Sequence, residues 1–154
     1  MEIEEAMRVA IEHAKIASIA SKDVPVGAVI LNANGDLIST GNNQRELLND
    51  PTAHAEIVAI RHAATALGNW RLDGCIIVVT LEPCTMCASA ISNARIARIY
   101  YAASDEKQGA VENGVRFYTT NSCFYRPEIY SGIQRLESET IIASFFSKLR
   151  KNKL

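Results

Sequence analysis

With 154 residues, 48% of them apolar and 21% charged, the chain has the size and balance of one globular domain with a real core, spanning 1–154, and is neither disordered nor collagen-like. A formal net charge of −1 excludes a globally basic nucleic-acid binder, so any surface for a polyanion must be local. The longest apolar runs, near 24–31 and 75–79, are far too short to span a bilayer, and the start Met1-Glu2-Ile3-Glu4-Glu5 is acidic where a signal peptide is basic. The expectation is a cytoplasmic protein without a membrane segment, whose four cysteines stay reduced.

In chain order, Ile3, Met7, Ala10, Ile11 and Ala14 recur at helical spacing and predict an amphipathic helix over 2–20, with His13 on its polar side. Residues 24–31 read as a buried strand with Pro25 near its start. Asn34-Gly35 signals a hairpin, with 36–40 returning antiparallel. The polar stretch 41–50 reads as a loop. Ile57, Ile60, Ala64 and Leu67 predict a second helix stopped by Gly68. A strand over 75–80, a helix over 84–93 and a strand over 95–102 form a parallel crossover. The pattern weakens from 104 to 133, and a last helix over 134–150 carries Ile141, Ile142, Phe145, Phe146 and Leu149 on one face. One mixed sheet with helices on both faces is the simplest assembly.

The stretch Leu81-Glu82-Pro83-Cys84-Thr85-Met86-Cys87 sets two thiols three apart where a strand enters a helix, so both sulfurs can face one metal. Zinc favours thiolate and imidazole, and a catalytic site commonly keeps three protein ligands. Cys84 and Cys87 supply two, and His54, in Thr52-Ala53-His54-Ala55-Glu56 at the start of another helix, is the best third. Asp50 or Thr52 would cap that helix, and two converging helix starts would stabilise thiolates. A closed structural zinc needs a fourth ligand from His62, His13, Cys75 or Cys123. His62 lies eight residues beyond His54, about 12 Å along the helix axis, too far for the same ion. Glu56, two residues past the histidine, can serve as general acid and base beside the metal without binding it.

His-x-Glu followed by Pro-Cys-x-x-Cys resembles the signature of zinc-dependent nucleobase deaminases. The phrases Asp50-Pro51-Thr52-Ala53-His54-Ala55-Glu56, Asn69-Trp70-Arg71-Leu72, Asp105-x-Lys107-x-Gly109-Ala110 and Phe145-Phe146 carry the likeness further, nearly end to end. On these the chain resembles the bacterial tRNA-specific adenosine deaminases of the cytidine deaminase superfamily. The resemblance implies a three-layer α/β/α cytidine deaminase-like fold with a central mixed sheet of about five strands. It implies zinc on His54, Cys84 and Cys87, Glu56 as the catalytic acid and base, and a homodimer acting on the anticodon arm of an arginine tRNA. It further implies that Asn43 hydrogen-bonds the flipped base, that the Ala55 amide helps orient it, and that Val24 and Pro25 form its apolar wall. The residues alone leave open whether Asn43 contacts the base or is a plain turn residue, whether Asp105 is an RNA contact or a helix cap, and whether Asn69-Trp70-Arg71 has a role or is just a loop around a buried tryptophan. Lys107 and the basic cluster Lys148, Arg150, Lys151 and Lys153 are candidate phosphate contacts or a solvated helix end. Tyr101-Ala102-Ala103 resembles the related guanine deaminases, and the stretch from Glu112 to Gly132 lacks the histidines found there in the tRNA enzymes. The alternative is therefore a deaminase of a free base or nucleoside such as guanine or cytosine; a non-catalytic protein with a structural zinc is the third.

Overall fold

A computed structural model describes residues 1–152, so Lys153 of the basic cluster lies outside the described residues. The first helix, α1 (Ile3–Ala20), buries Ala6, Met7, Ala10, Ile11, Ala14 and Ala17 on one face. Strand β1 (Gly27–Leu31) is buried throughout and starts later than the apolar run does. The reason is local: Val26 N–H donates to Val24 O (2.8 Å) and Val24 N–H to Asp23 Oδ1 (2.8 Å), which holds 23–26 in a turn. The hairpin forms as expected, its turn held by Asn32 Oδ1, which accepts from Asn34 and Asp36 N–H, with Gly35 at φ +85°. Strand β2 (Leu37–Asn42) runs two residues further than its pattern suggests.

Inside the expected loop 41–50 sits a short helix, α2 (Arg45–Leu48). Its first N–H groups, of Arg45 and Glu46, donate to the buried Asp23 carboxylate at 2.8 and 3.3 Å, a long-range partner that periodicity cannot reveal. Then follow α3 (Ala55–Leu67), ended by Gly68 at φ +65°, β3 (Ile76–Leu81), α4 (Thr85–Asn93) and β4 (Arg98–Ala103). The weakly patterned stretch contains a 3-10 turn (Phe117–Thr119) and β5 (Glu128–Ser131), and α5 (Arg135–Asn152) ends the described chain. Among the described residues no helix is long and apolar enough to cross a membrane.

The strands form one five-stranded sheet in the order β2-β1-β3-β4-β5. β1 pairs antiparallel with β2 and β3, and β3, β4 and β5 run parallel. Alternation splits the core into two layers. Val29, Leu31, Ile76 and Val78 pack under α1, with Ile141 of α5 against them. Ala28, Ile30, Ile77, Val79 and Ile99 pack on the other face under Ala55, Ala59 and Ala63 of α3 and Ala88 and Ile91 of α4. This is the expected three-layer α/β/α fold.

The last helix departs from its pattern. Only Ser138 of α5 is fully buried, Ile142 is half-buried, and Phe146 is 39% exposed. Its apolar stripe is divided between the core and a cleft.

Two features that hold the site's surroundings make testable predictions. A Cβ on Gly27 would lie 1.9 Å from Ala10 O, so α1 presses on β1 with no room for a methyl group. Gly27→Ala should cost about 3 kcal/mol, the upper part of the overpacking range, in urea denaturation; a parental midpoint would contradict that close approach. At Asp23, burial raises the carboxyl pKa, but hydrogen bonds from the Arg45 side chain and the Val24 N–H outweigh it and leave it below the ordinary value. Its stabilising contribution is therefore full above the unfolded pKa of about 4 and lost as pH falls through the lower folded value. Urea midpoints of the parent and Asp23→Asn should differ at neutral pH and converge as pH falls below the unfolded value and through the lower folded one; a gap independent of pH would contradict it.

Candidate metal centre and substrate cleft

His54 and Cys84 occupy equivalent places in the chain path. Each is extended (φ −70°, ψ 155° and φ −74°, ψ 177°) and is the last residue before a helix, α3 and α4 respectively. Cys87 stands in the first turn of α4, so two helix N-termini, with their free N–H groups and positive partial charge, meet at one point. Neither Asp50 nor Thr52 caps α3. Asp50 Oδ1 accepts from Thr52 N–H (2.9 Å) and Thr52 Oγ1 (2.8 Å) within its own turn. The first free N–H of α3, on Ala55, instead donates to Asn43 Oδ1 at 2.8 Å, a cap supplied by the end of β2.

His54 Nδ1 lies 3.6 Å from Cys84 Sγ and 3.5 Å from Cys87 Sγ, and the donor atoms of all three residues fall within 4.8 Å of one another. A tetrahedral zinc with Zn–S near 2.3 Å and Zn–N near 2.0–2.1 Å spaces its nitrogen and sulfur donors roughly 3.6 Å apart. The arrangement fits zinc. The donor group contains three residues, and none of His13, His62, Cys75 or Cys123 belongs to it. His62 Nδ1 is 3.0 Å from Thr40 O, and Cys123 Sγ lies 3.1 Å from Tyr125 O. The set therefore has the composition of an open catalytic site, with no fourth ligand from the described residues.

The side chains by themselves already prepare a thiolate. A hydrogen bond from Cys87 pulls the Cys84 pKa down to about 4, with His54 adding to the effect. Bonding to Cys84 in turn raises His54 and, with burial, raises Cys87. Glu56 is 4% exposed, lines the cleft beside the donors and is not one of them. Burial pushes its carboxyl up to about 7.

The cleft encloses about 770 Å³. Val24 and Val26 line it, as do Asn43, Leu81 and Asp105; Pro25 is buried and does not, so the second apolar wall residue is Val26. Asn43 is held at both ends of its amide, since Nδ2 donates to Val24 O at 3.0 Å while Oδ1 takes the Ala55 N–H. It is no plain turn residue. Asp105 caps a turn, its Oδ1 accepting from Lys107 and Gln108 N–H, both at 3.1 Å. Trp70, which the plain-loop reading would bury, is 61% exposed, with the guanidinium groups of Arg71 and Arg95 lying 5.5 and 6.0 Å from its ring centre.

Apart from Arg150, a candidate phosphate contact from the sequence, several lining residues escape sequence reasoning. Arg45 reaches the cleft edge, its Nη2 in a close ion pair with buried Asp23 Oδ1 at 2.6 Å. Glu139, Ile142, Ala143, Phe146 and Arg150 of α5 form another wall. Their spacing of three, four, seven and eleven from Glu139 traces one helix stripe, which was the available signal. Lys107 and Arg150 line the cleft; Lys148 and Lys151 do not. Glu82 is 3% exposed, and its charge between an apolar strand and Pro83-Cys84 was the only hint of a role. Burial raises its pKa, but backbone N–H groups of Asp105 and Glu112 and the Asn113 side chain outweigh this and hold it below the ordinary value.

Comparison with known proteins fits this geometry. The family model for the cytidine and deoxycytidylate deaminase zinc-binding region matches residues 1–103. The tRNA-specific adenosine deaminase of Agrobacterium fabrum is 52% identical over 128 residues, covering 83% of this chain and 84% of that one. A solved structure from studies of A-to-I editing by tRNA:A34 deaminases at the wobble position of transfer RNA superposes with a TM-score of 0.86 at 50% identity, over 89% of this chain and 98% of that one. The guanine deaminase of Bacillus subtilis superposes less closely, with a TM-score of 0.65 at 35% identity over 79% and 87%. With such identity across the zinc motifs and far beyond them, the chain belongs to the cytidine and deoxycytidylate deaminase zinc-binding family and, within it, to the tRNA-specific adenosine deaminases.

Proposed function

We propose that this protein hydrolyses the wobble adenosine of a tRNA to inosine and ammonia. The observation that carries the reaction type is the buried Glu56 carboxylate in the cleft beside a three-residue donor set that does not include it. The 52% identity to a tRNA-specific adenosine deaminase supports the substrate. His54 Nδ1, Cys84 Sγ and Cys87 Sγ would hold zinc, which supplies Lewis acidity that makes water nucleophilic near neutral pH.

Glu56 does the proton work. It takes a proton from the attacking water, passes it to the purine ring nitrogen beside C6, and assists departure of the C6 amine as ammonia. Val24 and Val26 give the flipped base an apolar wall. Asn43, pinned by Val24 O and Ala55 N–H, keeps a second Nδ2 proton for the base, so Ala55 orients substrate through Asn43. Asp105, Lys107, Arg45 and Arg150 lie where the polynucleotide flanking the base would pass. The substrate is an arginine tRNA, engaged by its anticodon arm in the cytoplasm. The protein acts as a homodimer, a reading supported by exposed apolar side chains such as Phe124 (83%) and Val115 (57%).

A second reading, deamination of free guanine, is favoured by the guanine deaminase likeness, although its superposition is looser. Purified protein incubated separately with arginine tRNA and with free guanine separates them. Inosine in the digested tRNA, located at the wobble position and without guanine turnover, is the expected result; ammonia from guanine with tRNA unchanged would overturn the proposal. Glu56→Gln should keep the parent's zinc content and lose about 10²–10⁴-fold in turnover, the usual worth of a general acid and base. Parental turnover in that variant would remove Glu56 from the mechanism.

A further inference from the structure

The loop over 104–113 lines the cleft with Ser104, Asp105, Glu106, Lys107 and Gln108, yet beyond one isolated bridge it pairs with no strand. Its amides converge on one buried side chain. Glu82 Oε1 accepts from Ser104 Oγ (3.2 Å), Asp105 N–H (3.0 Å) and Asn113 Nδ2 (2.7 Å). Glu82 Oε2 accepts from the N–H groups of Val111 (3.1 Å), Glu112 (2.9 Å) and Asn113 (3.1 Å). Only an acceptor-only group can serve every one of these donors, which is the property of an ionised carboxylate. The loop also comes close enough that a Cβ on Gly109 would lie 2.5 Å from Glu82 Cδ.

We propose that Glu82 is a positioning residue for the substrate: its carboxylate latches residues 104–113 to the turn that carries Cys84, so that the metal side and the polynucleotide side of the cleft form one rigid body. The mechanism above gives Glu82 no task. Its place in the chain supplies one, because Pro83 and Cys84 follow it directly. Backbone links reinforce the connection, with Ala110 N–H donating to Pro83 O at 2.9 Å, Glu82 N–H donating to Ala103 O at 2.8 Å, and Cys84 bridging Gly109. The latch spares the substrate the cost of ordering the loop, a cost that otherwise appears as weaker binding. Its consequence for tRNA rests on the function proposed above; the latch itself rests on the hydrogen bonds.

Glu82→Gln has the same shape but turns an amide donor toward one of the two sets of N–H groups. Zinc content, amide hydrogen exchange and steady-state kinetics on tRNA, measured beside the parent, test it. Zinc per chain should match the parent. The amides of residues 105 and 111–113 should exchange about 100-fold faster while those of α3 and α4 keep their rates. KM for tRNA should rise about 10-fold with kcat within about 3-fold of the parent. Asp105→Ala should raise KM less in the Glu82→Gln background than in the parent, because the latch acts through that residue. Unchanged exchange in the loop, unchanged KM, or a loss confined to kcat would overturn the proposal. Should Glu82→Gln fail to fold, Asn113→Ala, which removes one donating side chain, carries the same test with smaller shifts. A parent that makes no inosine in tRNA would overturn the proposed function instead, and exchange and zinc content would still decide the latch.

Discussion

The close approach of α3 to the sheet is the constraint on which the site depends. A Cβ on Gly41 of β2 would stand 2.5 Å from Ala55 O and 2.7 Å from Ala59 N, so the helix backbone rests directly on the strand. The helix presents Ala55, Ala59 and Ala63 to that surface, all fully buried. Larger residues would lift α3 and carry its N-terminus away from α4. The donors tolerate no such shift, because a zinc site holds its ligand distances to within about 0.2 Å. Small residues that look like weak hydrophobes are thus what brings His54 within 3.5 Å of Cys87.

What could be read from the linear chain follows from the range of each interaction. His54, Glu56, Cys84 and Cys87 were legible because metal chemistry demands particular residue types at short spacings, and strand-to-helix junctions put them at chain positions that periodicity locates. The layer order was legible for the same reason, since β1 and β3 are buried runs bounded by turns and β4 buries Ile99 and Tyr101 to Ala103. The short helix α2 was not, because its start is held by Asp23, twenty-two residues away. The substrate side of α5 was hidden by its own apolar stripe: Ile142 and Phe146 carry the same pattern whether they face a core or a cleft. Glu82 was hidden more deeply, since nothing near it in the chain shows the amides of 111–113 arriving from thirty residues on.

The net charge of −1 poses a difficulty for a polyanionic substrate, and the charges lining the cleft do not remove it. Arg45, Lys107 and Arg150 line the cleft, but so do Glu56, Glu82, Asp105, Glu106 and Glu139. With more carboxylates than cations in the lining and Arg45 already paired with Asp23, the cleft offers little non-specific attraction to phosphate, which grows only with the number of phosphates neutralised. Recognition must then come from fit at the base and from flanking contacts held in place, not from a broad field.

That requirement connects the two polar hubs of the cleft. Asn43 joins the turn before β1, the end of β2 and the start of α3 through its bonds to Val24 O and Ala55 N–H. Glu82 joins the end of β3 to residues 104–113 through the bonds to its two carboxylate oxygens. One hub fixes the wall where the base would lie and the other the wall where its flanking backbone would pass, and each is adjacent in sequence or by hydrogen bond to a residue next to a zinc donor. A buried polar group rigidifies what its hydrogen bonds tie together, and breaking one of those bonds costs stability, so both hubs favour a single arrangement of the cleft. Ordering the site in advance in this way compensates for a weak electrostatic field, because binding energy that is not consumed in arranging loops remains available to hold a base out of its stack.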